Sequence, residues 1–254
     1  MGCSARRPAS PTHRGIAETG GMATIEPAEP KPPPPDAEAP ARRLAGEALA
    51  AGDPTGWFER LYAAAETGQA AVPWDRGAPH PLLVEWAITM RLDGTRRRAI
   101  VVGCGLGHDA QYIAGLGFET VAFDVSGSAV RAAQSRFPGS AVDYLTADVL
   151  SPPQSWHRAF DLVVESLTLQ AMPDPPRREA IANVGNLAAP GGTLLVIARA
   201  RDTGEEPDDG PPWALTRAEI DAFQATGLEP VRLEEMRDQG PPATHRWRAQ
   251  FTRR

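Results

Sequence analysis

Apolar positions change their period along this chain, and each change marks a boundary. Residues 41–51 and 55–67 consist largely of helix formers, and Trp57, Phe58, Leu61 and Tyr62 share one face of the second stretch. Asp53-Pro54-Thr55 between them reads as a stop followed by an N-cap. The segment from Val72 to Pro81 carries no period and reads as a linker. A third helix is predicted over 81–92, with Leu82, Leu83, Trp86 and Met90 on its buried side. Beyond it, short apolar runs at 98–103, 119–124, 142–146, 160–165 and 193–199 predict strands, and 108–116, 126–136 and 176–188 predict helices between them. Nearly continuous, β-branched runs of this kind belong to strands buried on both faces, so they predict a parallel sheet covered by helices on both sides. A helix over 216–226 leads to two alternating strands, 228–237 and 244–252. With Asp238-Gln239-Gly240-Pro241-Pro242 between them, these predict an antiparallel hairpin at the sheet edge.

The expected fold is α/β: a doubly wound, Rossmann-like, seven-stranded, mostly parallel sheet with a C-terminal antiparallel hairpin and N-terminal helices as a cover. Three parts are expected: a tail over 1–40, a helical cover and substrate-side segment over 41–93, and the core over 94–254. The tail carries nine of the 26 prolines and no Phe, Trp or Tyr. Such a stretch buries too little apolar surface to offset its ordering entropy, so disorder is expected there. Lys31-Pro32-Pro33-Pro34-Pro35 would be polyproline II, and no apolar stretch follows Arg6 and Arg7 as a secretory signal requires.

Composition narrows the function. Net charge is -6 and the isoelectric point about 5.4, which argues against a protein built to grip phosphate backbones. All basic residues but Lys31 are arginine, which reads as coding bias rather than as a binding device. No apolar run approaches the roughly 18–20 residues of a membrane span. The two cysteines, Cys3 and Cys104, lack disulfide-scaffold or zinc-ligand spacing. A reducing, cytoplasmic setting is expected, with no membrane or nucleic-acid partner, no bound metal, and a monomer or homodimer.

The chemistry concentrates at Gly103-Cys104-Gly105-Leu106-Gly107, between the apolar run Ala99–Val102 and a helix. Glycine there lets the backbone turn tightly and approach a ligand without a Cβ in the way. The loop amides and the positive end of the helix then face that ligand. Asp124 ends the second strand, where a carboxylate accepts hydrogen bonds from both ribose hydroxyls. Asp148 follows the third strand, in position to meet an adenine amino group. Together they fit a nucleoside lying across the switch point of the sheet. A dinucleotide fingerprint needs glycine at 108, and His108 stands there.

The G-x-G-x-G loop resembles motif I of the class I S-adenosylmethionine-dependent methyltransferase family. The resemblance spans about residues 73–254. It includes Asp124, the Ala147-Asp148 pair, the Phe160-Asp161-Leu162-Val163-Val164-Glu165 strand, Leu187-Ala188-Ala189-Pro190-Gly191-Gly192-Thr193-Leu194 and the terminal hairpin. One position departs: the family's acidic residue two before the first glycine, which organises the donor's amino-acid end, is Val101 here. Pro73-Trp74-Asp75-Arg76-Gly77, with Pro79 and Pro81, is similar to the segment preceding the core in thiopurine, thiol and halide methyltransferases.

The resemblance implies S-adenosyl-L-methionine as cofactor and methyl transfer to a small-molecule nucleophile, a thiol being the first candidate. A thiol needs little help to reach its reactive thiolate. The donor-binding set expected is Gly103, Cys104, Gly105, Gly107, Asp124, Val125, Ala147, Asp148, Val149 and Glu165. Trp74 and Glu165 are expected in catalysis, Trp74 because an aromatic face attracts a sulfonium. The competing readings are that Trp74 staples the N-terminal helices to the core and that Glu165 caps the next turn. Thr168 and Gln170 are read as pocket lining or caps, His80 as a base or a solvated loop residue, Cys104 as packing, and Trp213 as part of a lid or a surface anchor. After the fourth strand stands Glu165-Ser166-Leu167-Thr168-Leu169-Gln170, not the Asn/Asp-Pro-Pro-aromatic motif of enzymes that methylate planar amino groups. An NAD-type Rossmann oxidoreductase and a non-catalytic interaction module remain as alternatives.

Overall fold

The structure, a computed structural model, describes residues 1–2, 38–238 and 244–254. Most of the expected tail, and the turn expected to join the last two strands, lie outside these residues. Seven strands form: β1 (Arg98–Val102), β2 (Glu119–Asp124), β3 (Asp143–Thr146), β4 (Phe160–Ser166), β5 (Ala188–Arg199), β6 (Leu228–Asp238) and β7 (Thr244–Arg253). Their order in the sheet is β3-β2-β1-β4-β5-β7-β6. The first five are parallel, whereas β7 runs antiparallel to both β5 and β6. Strand order reverses between β1 and β4, so a crevice opens there at the carboxyl ends of the strands.

The helices between them are α4 (His108–Gly115), α5 (Gly127–Arg136) and α6 (Pro176–Gly185). Side chains of β1 alternate between two core layers, as a strand's period of two demands. Ile100 and Val102 pack with Val163, Ile181 and Val196, while Ala99 and Val101 pack with Ile113, Val130 and Val164. Each fully buried Val or Ile side chain contributes about 1.5–3 kcal/mol, which makes both faces equally necessary.

The N-terminal helices are α1 (Glu38–Ala50), α2 (Gly56–Glu66) and α3 (Pro81–Thr89). Leu44, Ala45 and Ala48 of α1 join Trp57, Phe58 and Leu61 of α2 in a satellite core that reaches Ala171, Trp74 and Val125. Glu59 fastens this layer to the β2–α5 turn: its carboxylate accepts from the Ser126 hydroxyl at 2.6 Å and from the Ser128 hydroxyl and amide at 2.6 and 3.0 Å. In contrast, α3 lies on the sheet, where Trp86 Nε1 donates to Gln250 Oε1 of β7 at 3.0 Å.

Four boundaries differ from the periodicity. The first helix starts at Glu38, inside the expected tail. The third stops at Thr89, and Arg91 takes the left-handed conformation, so Met90 is exposed rather than buried. The sixth stops at Gly185, and β5 begins at Ala188, with a register shift between the Phe160↔Ala188 and Leu162↔Thr193 pairs that absorbs Pro190, which has no amide to donate. The expected helix at 216–226 is a short α7 (Arg217–Asp221), opened by a Thr216/Glu219 capping box, then a tighter turn ending at Gly227. The outermost strand, β6, is mostly exposed and carries Arg232, Glu234, Glu235 and Arg237, charges that discourage edge-to-edge pairing.

Candidate active site

A cavity of ≈ 210 Å³ occupies the crevice at the carboxyl ends of the parallel strands. Its floor is the loop from β1 to α4, where Gly103, Gly105 and Gly107 all have positive φ. The loop is packed from behind: a Cβ at Gly103 would lie 2.3 Å from Thr168 Oγ1, and one at Gly107 would lie 2.5 Å from the Tyr144 hydroxyl. No side chain caps α4, so its first amides remain for a ligand.

Asp124 is buried against this loop. Its Oδ2 accepts from Gly105 N and its Oδ1 from Ser126 N, each at 2.9 Å. Each oxygen keeps a second lone pair. Burial pushes the carboxyl up to about 6 against the pull of those amides. Val125, Ala147, Asp148 and Val149 continue the wall, and Asp148 Oδ1 accepts from Leu150 N at 2.8 Å. Cys104 lines the cavity too, but burial drives its thiol pKa well above the ordinary value, so the group stays a thiol.

The roof comes from the N-terminal layer. Trp74 Nε1 donates to the Tyr62 hydroxyl at 2.8 Å, and the Trp74 ring meets Trp57, Phe58 and Tyr62 edge-on at about 6 Å. A Cβ on Gly105 would lie 2.8 Å from the Tyr62 hydroxyl and 3.8 Å from Trp74 Nε1. Trp74 therefore sits over the glycine loop while also tying the N-terminal helices down. Next to it, Asp75 accepts from Gly77 N at 3.0 Å and pairs with Arg136 at 3.2 Å. His108 lies 2.7 Å from the same guanidinium, and burial together with that arginine lowers its pKa, keeping the ring neutral.

A second group comes from distant segments: Arg76, His80, Ser166, Arg199 and Arg246, with Asp109 of α4 joined to it through the His80 amide. His80 is the N-cap of α3, with Nδ1 accepting from Leu82 N at 3.2 Å. Its amide donates to Asp109 Oδ1 at 2.7 Å. Burial, reinforced by Arg76 and Arg246, lowers the imidazole pKa to about 3. His80 is thus a buried neutral ring rather than a solvated loop residue. Asp109 is half-buried, and desolvation raises its pKa against the His80 and Ser166 hydrogen bonds. Asp109 belongs to no motif, and its one signal in the sequence is its place in the first turn of the helix after the glycine loop.

The other predicted positions divide. Val101 lies in the apolar layer with Ala99, so the family's acidic position is filled by core packing. Glu165 is fully buried, and it is not among the residues lining the cavity. Its Oε1 accepts from Thr168 N and Leu169 N at 2.8 and 2.9 Å, capping the turn after β4. Its Oε2 has no partner, and burial raises the carboxyl to about 7. Thr168 lines the cavity while donating to Val102 O at 3.0 Å. Gln170 does so while accepting from Arg199 N at 2.6 Å and, through its carbonyl, from Trp213 N at 2.7 Å. Pro211 and Pro212 line the cavity, and the neighbouring Trp213 is buried.

The family described as "Methyltransferase domain" matches residues 100–194, which hold the glycine loop, Asp124, Asp148 and β4. The chain is 26% identical to a probable thiol methyltransferase 2 of Arabidopsis thaliana, covering 82% of this chain and 96% of that protein. These likenesses support a class I S-adenosylmethionine-dependent methyltransferase. This methyltransferase is also 29% identical to thiocyanate methyltransferase 1 of Brassica oleracea over 64% of this chain and 71% of that protein. Its fold matches 1,6-didemethyltoxoflavin-N1-methyltransferase of Burkholderia thailandensis, which was crystallised with S-adenosylhomocysteine, at a TM-score of 0.58 and 14% identity over 90% and 97% of the two chains. The cradle fits S-adenosylmethionine: a side-chain-free loop, an uncapped helix start and a carboxylate at the end of β2. No helix of the described residues is long and apolar enough to cross a membrane. Among the same residues, Asp202, Glu235 and His245 form a cluster with metal-like spacing that the sequence pattern does not reveal; Arg237 already pairs with both carboxylates.

Proposed function

We propose that this methyltransferase transfers a methyl group to a small-molecule nucleophile, with a thiol as the acceptor. The observation that carries the reading is one cavity lined both by the glycine loop and Asp124 and by a separate set of polar side chains. Donor and acceptor then share one cavity, which holds them in the proximity that an in-line displacement requires. The thiol acceptor is supported by the likeness to the plant thiol and thiocyanate methyltransferases.

When bound, S-adenosylmethionine supplies a methyl group on an electrophilic sulfonium. Gly103, Cys104, Gly105 and Gly107 give the backbone surface beneath it, Asp124 accepts from the ribose hydroxyls, and Val125, Ala147, Asp148 and Val149 border the adenine. Asp109 supplies the negative charge at the amino-acid end that Val101 does not. Trp74, held by Tyr62, presents its ring to the sulfonium and excludes water. Glu165 acts behind the wall, fixing the Ser166–Leu169 turn that carries Thr168. A thiol acceptor with a pKa near about 8.5 reaches its thiolate without a dedicated base, so His80 has no need to take a proton.

Calorimetric titration with S-adenosylhomocysteine tests the donor half. Micromolar binding is expected, and Asp124→Ala should weaken it by at least about 1 kcal/mol, because charged hydrogen bonds are lost. No binding at millimolar ligand would sink the reading. Turnover of thiols, with the oxygen analogues inert, tests the acceptor half.

A further inference from the structure

The far end of the cavity holds an excess of positive charge that the fold does not use. Arg199 of β5 and Arg246 of β7 are direct cross-strand partners in the antiparallel register. Like charges in that position repel, and a sheet gains nothing by pairing them. Glu38 neutralises one of the two, meeting Arg199 at 3.1 Å. Among the described residues no carboxylate lies within ion-pair distance of Arg246 or of Arg76, and Arg76 keeps a buried Nε without a partner. All three arginines line the same cavity. The other charged groups facing them are few. Asp109 is within the field of Arg76 but is occupied by the His80 amide, Asp75 is taken by Arg136, and His80 is neutral. Three guanidinium groups face Asp109 and Glu38, which Arg42 shares at 3.0 Å, so at least one positive charge is left over. Burial and the fields of Arg76 and Arg199 lower the pKa of Arg246, a measure of how closely these cations crowd one another.

We propose that the methyl acceptor carries a carboxylate, which Arg246 and Arg76 clamp, with Arg199 beside them, so that the nucleophilic atom projects toward the glycine loop. The planar fork of a guanidinium matches a carboxylate in two-point contact, which a spherical anion does not exploit. A monoanion also cancels the surplus charge and relieves the Arg199–Arg246 repulsion. This gives the C-terminal hairpin a chemical task, since β7 is the element that brings Arg246 to the cavity. The proposal rests on the methyl-transfer reading above and narrows its acceptor to small organic acids.

The test uses the full chain saturated with S-adenosylhomocysteine and titrated with 4-mercaptobenzoate and with its methyl ester, which keeps the thiol and the ring but loses the carboxylate. The acid should bind at least about tenfold more tightly than the ester. Arg246→Gln and Arg76→Gln should each abolish that preference, and Arg246→Lys should restore part of it. In the ligand-free protein Arg246→Gln should not lower Tm, because it removes a repulsion; a merely structural arginine would show a clear fall. Equal affinity for acid and ester, acid binding that survives both glutamine variants, or no binding of either probe would overturn the clamp. Failure of S-adenosylhomocysteine itself to bind would remove the methyl-transfer reading, and the clamp with it.

Discussion

The two ends of the cavity are built by different rules. The proposed donor end is made of strand, loop and helix segments that follow one another in the chain: β1 into α4, β2 into α5, and the residues just after β3. Each places its functional group within a few residues of a strand end, as the doubly wound fold dictates. The proposed acceptor end draws Arg76 and His80 from the linker before the sheet, Ser166 from the end of β4, Arg199 from the end of β5 and Arg246 from the start of β7. Nothing local relates these positions. One half of the site is therefore a property of the fold, and the other belongs to this particular chain.

The sharpest way to break the comparison is to damage the donor end where it touches the N-terminal layer. Gly105 has φ +50, and a Cβ there would meet the Tyr62 hydroxyl at 2.8 Å. Gly105→Ala should displace the Tyr62–Trp74 pair as well as strain the loop, since alanine rarely adopts that backbone conformation. A loss of S-adenosylhomocysteine affinity of about 100-fold or more is expected by calorimetry, equivalent to roughly 2.7 kcal/mol. Retained affinity would mean that the loop is not the donor's floor.

The same contrast explains which parts of the molecule are legible in its sequence. Strand positions, the parallel sheet, the edge hairpin and the glycine loop follow from period and glycine spacing, which are local. Asp124 and Asp148 follow because the ends of successive strands converge in this fold. Arg246 carries no such signal: its neighbour across the sheet, Arg199, lies 47 positions earlier, and both sit in a sequence rich in arginine. His80 stands between two prolines and so reads as a loop residue; only burial by α4 and the far strands makes it a neutral core imidazole. Glu165 occupies a strand end, where period alone cannot distinguish a group facing the cavity from one turned back to cap the chain. Its two backbone hydrogen bonds favour the cap.

Glu165 sharpens that distinction at a smaller energy. Its carboxyl is raised from 4.5 to about 7 by burial, so the folded protein holds this proton more firmly than the unfolded chain. Stability from this group is present below the unfolded value and is lost as pH rises from there through 7. Glu165→Gln keeps an acceptor for the Thr168 and Leu169 amides and never ionises. The variant should be more stable than the parent at pH 8 by about 1–3 kcal/mol in urea titrations, with the gain fading toward pH 4.5. A Glu165 that instead holds the donor's ammonium would show weakened S-adenosylhomocysteine binding in the variant at every pH.

Trp74 offers the smallest effect and the finest division, because it belongs to both regions: its indole hydrogen-bonds Tyr62 of the N-terminal layer, and its ring lies over the glycine loop. A staple and a sulfonium-facing wall make different demands. Loss of a staple loosens the roof for any ligand, so Trp74→Leu would weaken S-adenosylmethionine and S-adenosylhomocysteine by the same factor. A ring facing the sulfonium attracts the charged donor and not the neutral product, with a cation–π contribution of about 0.5–2 kcal/mol. Trp74→Leu should then weaken the donor about three- to tenfold more than the product, while Trp74→Phe, which keeps an aromatic face but loses the Tyr62 hydrogen bond, should preserve most of the difference. Paired titrations of both ligands against the three proteins read this directly. An identical loss for donor and product would leave Trp74 as a staple and return the acceleration to the cavity's geometry alone.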